Sequence, residues 1–278
     1  MKKFIVVLLF IPAVSHSQAL YQINKITNID YIDNENFNDN KDLLDIYVPR
    51  EKKKFPVIVF FHGGGLLRGS KEMGKDIGEK LAKNGIGFVS ANYRVSPIAK
   101  YPDHINDAEA AAEWTINNIE SYGGDLKNIY LSGHSAGAYL AAILGLNKTL
   151  KIHKKIKIRG VILISPFLYV EETAPVRISR DAKYKSIWGT NPKDWEKASV
   201  SPHMEGNDDN FISIMAEKDE AWRKEQNQRF INKLKNKQIS SYIEIPNRNH
   251  SSLVKKILEK DDQVSSTIIE FINQTIKN

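Results

Sequence analysis

Cysteine is absent from the 278 residues, which excludes a disulfide framework, a thiol nucleophile and a thiolate metal site. The seven histidines include no H-E-x-x-H pattern and no close pair, so a metal hydrolase lacks its usual ligands. Beyond the first 17 residues, no apolar run approaches the roughly 20 residues needed to cross a bilayer. Internal repeats and long low-complexity tracts are also missing, which argues against a repeat array or a disordered chain. Charge is not massed on one segment. The formal charge is +7, and the densest basic runs, 50–54 and 148–157, lack the interleaved aromatics that single-stranded nucleic acid requires. They read as solvated surface. Neither a nucleic-acid partner nor a cofactor or metal is expected.

The N-terminus has a distinct character. Lys2 and Lys3 precede an apolar run over 4–14, and Ser15-His16-Ser17 supplies small residues before Gln18. That order is the layout of a secretory signal peptide. A signal over 1–17 predicts a secreted or periplasmic protein with no stable membrane insertion once it is removed, and takes the charge from +7 to +5. No lipid-acceptor cysteine follows it.

Residues 18–278 read as one domain whose strands and helices alternate. Residues 57–61 (Val-Ile-Val-Phe-Phe) form an unbroken apolar run, the mark of a strand buried on both faces. Strands are also expected at 43–48, 86–92, 129–132, 161–165, 211–216 and 241–245. Helical spacing marks 73–84, 105–122, 136–146, 220–237 and 263–276. Such alternation predicts an α/β fold with a mostly parallel central sheet covered by helices on both faces. The stretch 166–209 breaks the rhythm with Pro166, Pro175, Pro192 and Pro202. It is expected as a small cap or lid over the carboxyl ends of the strands, where ligands bind in such sheets.

Gly133-His134-Ser135-Ala136-Gly137 lies between an expected strand and an expected helix. A serine nucleophile has to stand clear of the sheet on a sharp turn, and flanking glycines leave room for that turn. Ser135 is therefore the candidate nucleophile. Ser165 also ends a strand, but it lacks flanking glycines and precedes Pro166. His62-Gly63-Gly64-Gly65 directly follows the buried strand. Acyl transfer needs preorganised N–H donors for the oxyanion, and Gly63 and Gly64 with Ala136 are assigned that role.

His250 follows the last strand and is the candidate base. His104 and His203 lack that placement, and chain order Ser, acid, His is what this architecture uses. The acid should lie after the preceding strand, where Glu217, Asp219 and Glu220 compete. Asp219 is preferred, Glu217 is the runner-up, and Glu220 is read as a helix start. The acid orients the imidazole and stabilises its protonated form. By position alone, Leu66, Leu67, His134, Leu168 and Tyr169 are candidates for the substrate pocket.

From about Leu43 onward the chain resembles the α/β-hydrolase superfamily. Within it, the chain resembles esterases related to hormone-sensitive lipase and their arylformamidase-like and feruloyl or acetylxylan esterase-like relatives. The motifs that carry this resemblance are His62 to Gly65 with Gly69-Ser70, Ala91-Asn92-Tyr93-Arg94, Tyr122-Gly123-Gly124-Asp125, and Gly133 to Gly137. His134, where the lipase-like branch has Asp, shifts the resemblance toward the second group. Leu66 stands where an aromatic often follows the glycines. The resemblance implies a serine carboxylesterase acting on short or medium acyl esters, with acetyl or feruloyl esters of polysaccharides as the class that export favours. The same triad also serves amide, formamide and peptide hydrolysis. A catalytically inactive, binding-only hydrolase fold is the remaining alternative.

Overall fold

The computed structural model describes residues 20–32, 40–207, 209–235 and 239–277. The expected signal segment 1–17 lies outside these residues. Eight strands form one sheet: β1 (Ile23–Asp30), β2 (Leu43–Pro49), β3 (Phe55–Phe61), β4 (Gly87–Ala91), β5 (Gly124–His134), β6 (Gly160–Ile164), β7 (Phe211–Ala216) and β8 (Ser241–Ile245). Their order is β1-β2-β4-β3-β5-β6-β7-β8. The β1/β2 and β2/β4 pairs are antiparallel, and the other pairs are parallel. This is the mostly parallel sheet that the alternation predicts.

Side chains alternate between the two faces of a strand, and β3 shows the consequence. Val57, Val59 and Phe61 enter one apolar cluster, with Ala111 and Ile116 from helix α2 (Asp103–Asn118; α1 is Lys75–Lys83) and Leu140 and Leu144 from α3 (Ala136–Leu146). Ile58 and Phe60 enter the other, with Ile77 and Leu81 of α1. After α4 (Ile152–Lys155), the 166–209 stretch folds into α5 (Val170–Arg180), α6 (Lys185–Trp188) and α7 (Pro192–Ala198). The chain then continues through α8 (Ala221–Lys233), α9 (Ser252–Lys255) and α10 (Gln263–Lys277). In α10, Val264, Ile268, Phe271 and Ile272 recur at helical spacing and close the second cluster. No helix among the described residues is long and apolar enough to cross a membrane.

Strand register places the site. Phe61 pairs with both Ala91 and Gly133, His134 with Ile164, Ile164 with Ile214, and Ala216 with Ile245. The parallel strands therefore end level with one another. The segments that follow them, carrying His62, Ser135, Ser165, Asp219 and His250, come together at one edge of the sheet.

Candidate active site

Ser135 joins β5 to α3 with φ 55° and ψ −112°, a region that costs a non-glycine residue about 1–3 kcal/mol. Packing enforces the strain. A Cβ on Gly133 would stand 2.2 Å from the Gly137 carbonyl carbon, and one on Gly137 would stand 2.0 Å from the Phe61 carbonyl oxygen. The turn can approach β3 this closely only because both positions are glycine. The Ser135 amide donates to the Ile164 carbonyl at 2.8 Å, so β6 also holds the turn. Ala136 is the first residue of α3, where an amide has no acceptor within its own helix. Developing negative charge at Ser135 would meet the positive end of α3.

The loop after β3 turns sharply, with φ of 123° at Gly64, 69° at Gly65 and 63° at Leu66. A Cβ on Gly64 would stand 1.9 Å from the Arg68 carbonyl oxygen, so glycine is required there. The expected strand-end motif Asn92-Tyr93-Arg94 supports this loop from below. The Tyr93 hydroxyl donates to the His62 carbonyl at 2.8 Å, and its ring stacks on the His62 imidazole at 4.2 Å. Arg94 in turn grips Asp107 of α2 through two bonds of 2.9 and 2.7 Å.

His250 Nδ1 lies 3.1 Å from Asp219 Oδ1 and 2.7 Å from Ser165 Oγ. The Ser165 hydroxyl donates to Asp219 Oδ2 at 2.9 Å, and the Ala216 amide donates to the same oxygen at 2.8 Å. Burial pushes the Asp219 carboxyl up, but the bonds from His250 and Ala216, His250's charge and the Ser165 hydroxyl outweigh it and hold the group below the usual range. Asp219 therefore stays an anion that fixes the Nδ1–H tautomer, leaving Nε2 for proton transfer. Glu217 instead accepts the Asn247 amide at 2.7 Å. Glu220 occupies the N-cap position of α8 and pairs with Arg180 at 3.5 Å.

Ser165 is a contact that sequence reading missed. It is fully buried, with φ 49°, and sits on the Asp219 side of the imidazole, away from the nitrogen that would serve a nucleophile. Only its strand-end position hinted at a role. Ser165→Ala is expected to lower kcat about tenfold with KM little changed, the cost of one bond to a charged group. An unaltered kcat would show that Asp219 and Ala216 alone hold the imidazole.

His134 Nε2 lies 2.9 Å from the His250 carbonyl oxygen. That oxygen can only accept, so Nε2 carries the proton. Nδ1 has no partner among the described residues. Burial, followed by the charge of His250, holds His134 down at about 3. Burial likewise holds His62 and His104 at about 4. Unfolded, these side chains titrate near 6.5. The unfolded chain therefore binds more protons below that pH, and their contribution, complete above pH 6.5, is lost as the pH falls toward 4. Each is expected to remove about 2 kcal/mol or slightly more between pH 7 and 4.5, roughly 7 kcal/mol for the three together. The urea midpoint measured against pH checks this, and a flat profile over that window would refute it.

Ser135, His250, His134, Gly64, Gly65 and Leu67 line one cavity of about 1060 Å³. The BD-FAE family model matches residues 44–234, spanning the elbow, the glycine loop and Asp219. The chain belongs to the BD-FAE family. Among curated relatives, a probable isoprenylcysteine alpha-carbonyl methylesterase (ICMEL1) of Oryza sativa subsp. japonica is 39% identical over 109 residues, 39% of this chain and 26% of that protein. Esterase LipC of Mycobacterium tuberculosis is 36% identical over 111 residues, 39% of this chain and 28% of that protein. The matches thus span little more than a quarter of those relatives' length. Among solved structures, esterase B from Lactobacillus rhamnosis superposes with a TM-score of 0.80 at 18% identity, covering 92% of this chain and 88% of that one. A truncated carbohydrate esterase from gut microbiota superposes with 0.76 at 20%, covering 94% and 99%. These likenesses establish the α/β-hydrolase fold.

Within this BD-FAE chain, the cavity wall differs in part from the sequence expectation. Leu66, Leu168 and Tyr169 are 1%, 0% and 2% exposed and pack into the core. The left-handed backbone at Leu66 places its side chain in the core, and Gln226 Oε1 takes the Leu168 amide at 3.1 Å. Gly63 stands behind the wall, where a Cβ would meet His134 Nδ1 at 2.8 Å and Ser135 Cβ at 3.4 Å. Gly65, not singled out from the sequence, lies beside Gly64 on the wall. Among the described residues no cluster of three or more His, Asp or Glu side chains is placed to hold a metal ion.

Proposed function

We propose that this protein is a serine carboxylesterase that hydrolyses short or medium acyl esters through an acyl-enzyme. The observation that carries this reading is the Asp219–His250 pair opening on the same cavity as the strained Ser135 turn. Ser135 Oγ attacks the ester carbonyl while His250 Nε2 takes its proton. The oxyanion is met by amides of the 63–65 loop and Ala136, and the protonated imidazole then gives its proton to the leaving alkoxide. Water, activated by His250, splits the acyl-enzyme and frees the acid. Relatives named as methylesterases and an esterase support ester over amide chemistry. The basic start and apolar run before Gln18 support export. With a carbohydrate esterase among the structural neighbours, export favours an esterified saccharide as the natural substrate.

The test is hydrolysis of 4-nitrophenyl acetate, butyrate and octanoate by the purified protein beside Ser135→Ala. Rates that fall with chain length and vanish in the variant support the reading. Inertness toward all three esters, with turnover of a formamide or peptide anilide, would transfer the triad to amide chemistry.

A further inference from the structure

The cavity over Ser135 is strongly cationic. Its lining includes Arg68, Arg177, Lys183, Arg223 and Lys255, against one carboxylate outside the triad, Asp181. Two of these cations are unusual. Arg223 is only 5% exposed, yet among the described residues no carboxylate pairs with it or with Arg177. The Arg223 guanidinium donates through Nη1 to the Ser165 carbonyl at 3.1 Å and stacks on the Trp222 ring at 4.7 Å. Arg177 lies over the Phe167 and Tyr184 rings and donates to the Tyr184 hydroxyl at 3.3 Å. The nearby acids are already engaged. Asp219 holds His250, and Glu220 faces Arg180.

Guanidinium groups withdrawn from water are normally matched by an anion, because losing their hydration costs several kcal/mol. Here two of them also repel each other. Burial first, and then the charge of Arg177, push Arg223 down to about 10, against the weaker opposing pull of Asp219 and Glu220. The fold bears this cost beside Ser135 with no carboxylate in direct contact with either guanidinium among the described residues.

The geometry points to a carboxylate-bearing ester as the substrate, with its carboxylate held by Arg177 and Arg223 while Ser135 attacks the ester carbonyl. This rests on the esterase reading above and narrows it. Both arginines are tied to the reacting groups. Arg177 Nη1 lies 3.5 Å from where a Cβ on Gly65 would stand, and the Tyr184 hydroxyl lies 3.0 Å from that point. Arg223 is anchored to Ser165, whose hydroxyl touches His250. Both guanidinium groups therefore open on the cavity that holds Ser135 and His250, so one small substrate can meet all of them. A planar carboxylate suits the guanidinium fork, which a point charge does not exploit. Arg68, Lys183 and Lys255 draw the anion in. An ester on an acidic sugar satisfies both this site and the saccharide reading.

The test compares mono-4-nitrophenyl adipate with 4-nitrophenyl hexanoate, and 3-acetoxybenzoate with phenyl acetate, so that the charge lies on either side of the ester. The ratio of anionic to neutral kcat/KM is expected to exceed ten in at least one pair. It should fall 10- to 100-fold in Arg177→Gln, the loss of a charge-assisted bond, with added salt lowering the anionic rate selectively. Arg177 is the less buried of the two, so its variant is the safer one to fold, with Arg223→Gln as the second. Neutral esters hydrolysed at equal or higher rates, with ratios unmoved in both variants, would overturn the inference and leave the esterase intact. Were no ester turned over, the esterase reading would fall on its own. Calorimetric binding of adipate, lost in Arg177→Gln, would still support the anion subsite, and no binding would end it.

Discussion

Ser135→Ala is expected to lower kcat for 4-nitrophenyl butyrate by about 10⁴- to 10⁶-fold while leaving the melting temperature within a few degrees. The Ser135 side chain contributes nothing to the turn beyond one hydroxyl, since the strained φ of 55° is imposed by Gly133, Gly137 and the bond to Ile164. Alanine inherits the same backbone, so the fold is kept and the chemistry is lost. His250→Ala should match it, because a serine without its base cannot be deprotonated at neutral pH. Asp219→Asn should cost about 10⁴-fold by favouring the wrong imidazole tautomer. The three losses should not add, because each variant disables the same step. Residual activity above a tenth of wild type in Ser135→Ala would remove Ser135 as the nucleophile. Ser135→Gly separates the two roles of this position. It should be equally inactive yet more stable by about 1–2 kcal/mol, because glycine relieves the strained backbone.

Gly137→Ala is expected to be among the most destabilising single methyls in the site. Its Cβ would meet the Phe61 carbonyl oxygen at 2.0 Å and the carbonyl carbon at 2.4 Å. Both belong to a central strand paired on each side, so neither can retreat without breaking its ladder. Overpacking against rigid backbone is expected to cost about 3 kcal/mol or more. For a chain of this size that lowers the melting temperature by roughly 10 °C, and the soluble yield should fall with it. Gly206→Ala is the control, where φ is 74° but no atom stands within 4 Å of the new carbon. That change should cost only backbone strain, about 1 kcal/mol. If Gly137→Ala melted within 2 °C of the parent, the close approach of the elbow to β3 would not be what demands glycine.

The alternation of strands and helices was legible because β3, β6 and β7 are dense apolar runs, and they appear within a residue or two of their expected places. The first strand was not. In β1 the apolar residues Ile23, Ile26 and Ile29 recur every third position: Ile23 packs on one face of the sheet and Ile26 on the other, and the irregularity between Ile26 and Ile29 returns Ile29 to the face of Ile26. An edge strand that is half exposed carries no other signal. The 166–209 stretch read as a break, yet nothing in its order showed that Arg177, Lys183 and Tyr184 would join the wall over Ser135.

By itself the sequence determined the fold class and the serine elbow, because both rest on local rules: side-chain period, and the glycines that a strained turn requires. It also singled out His250 as the candidate base by its place after the last strand. Only the tertiary structure decided which of three neighbouring acids reaches the imidazole, for that depends on the angle at which the chain leaves β7. It alone brought Ser165 against Asp219, moved Leu66, Leu168 and Tyr169 into the core, and gathered five cations from four separate segments around one cavity. Those outcomes depend on where distant strands end relative to one another, which the register of the sheet sets and no local pattern records.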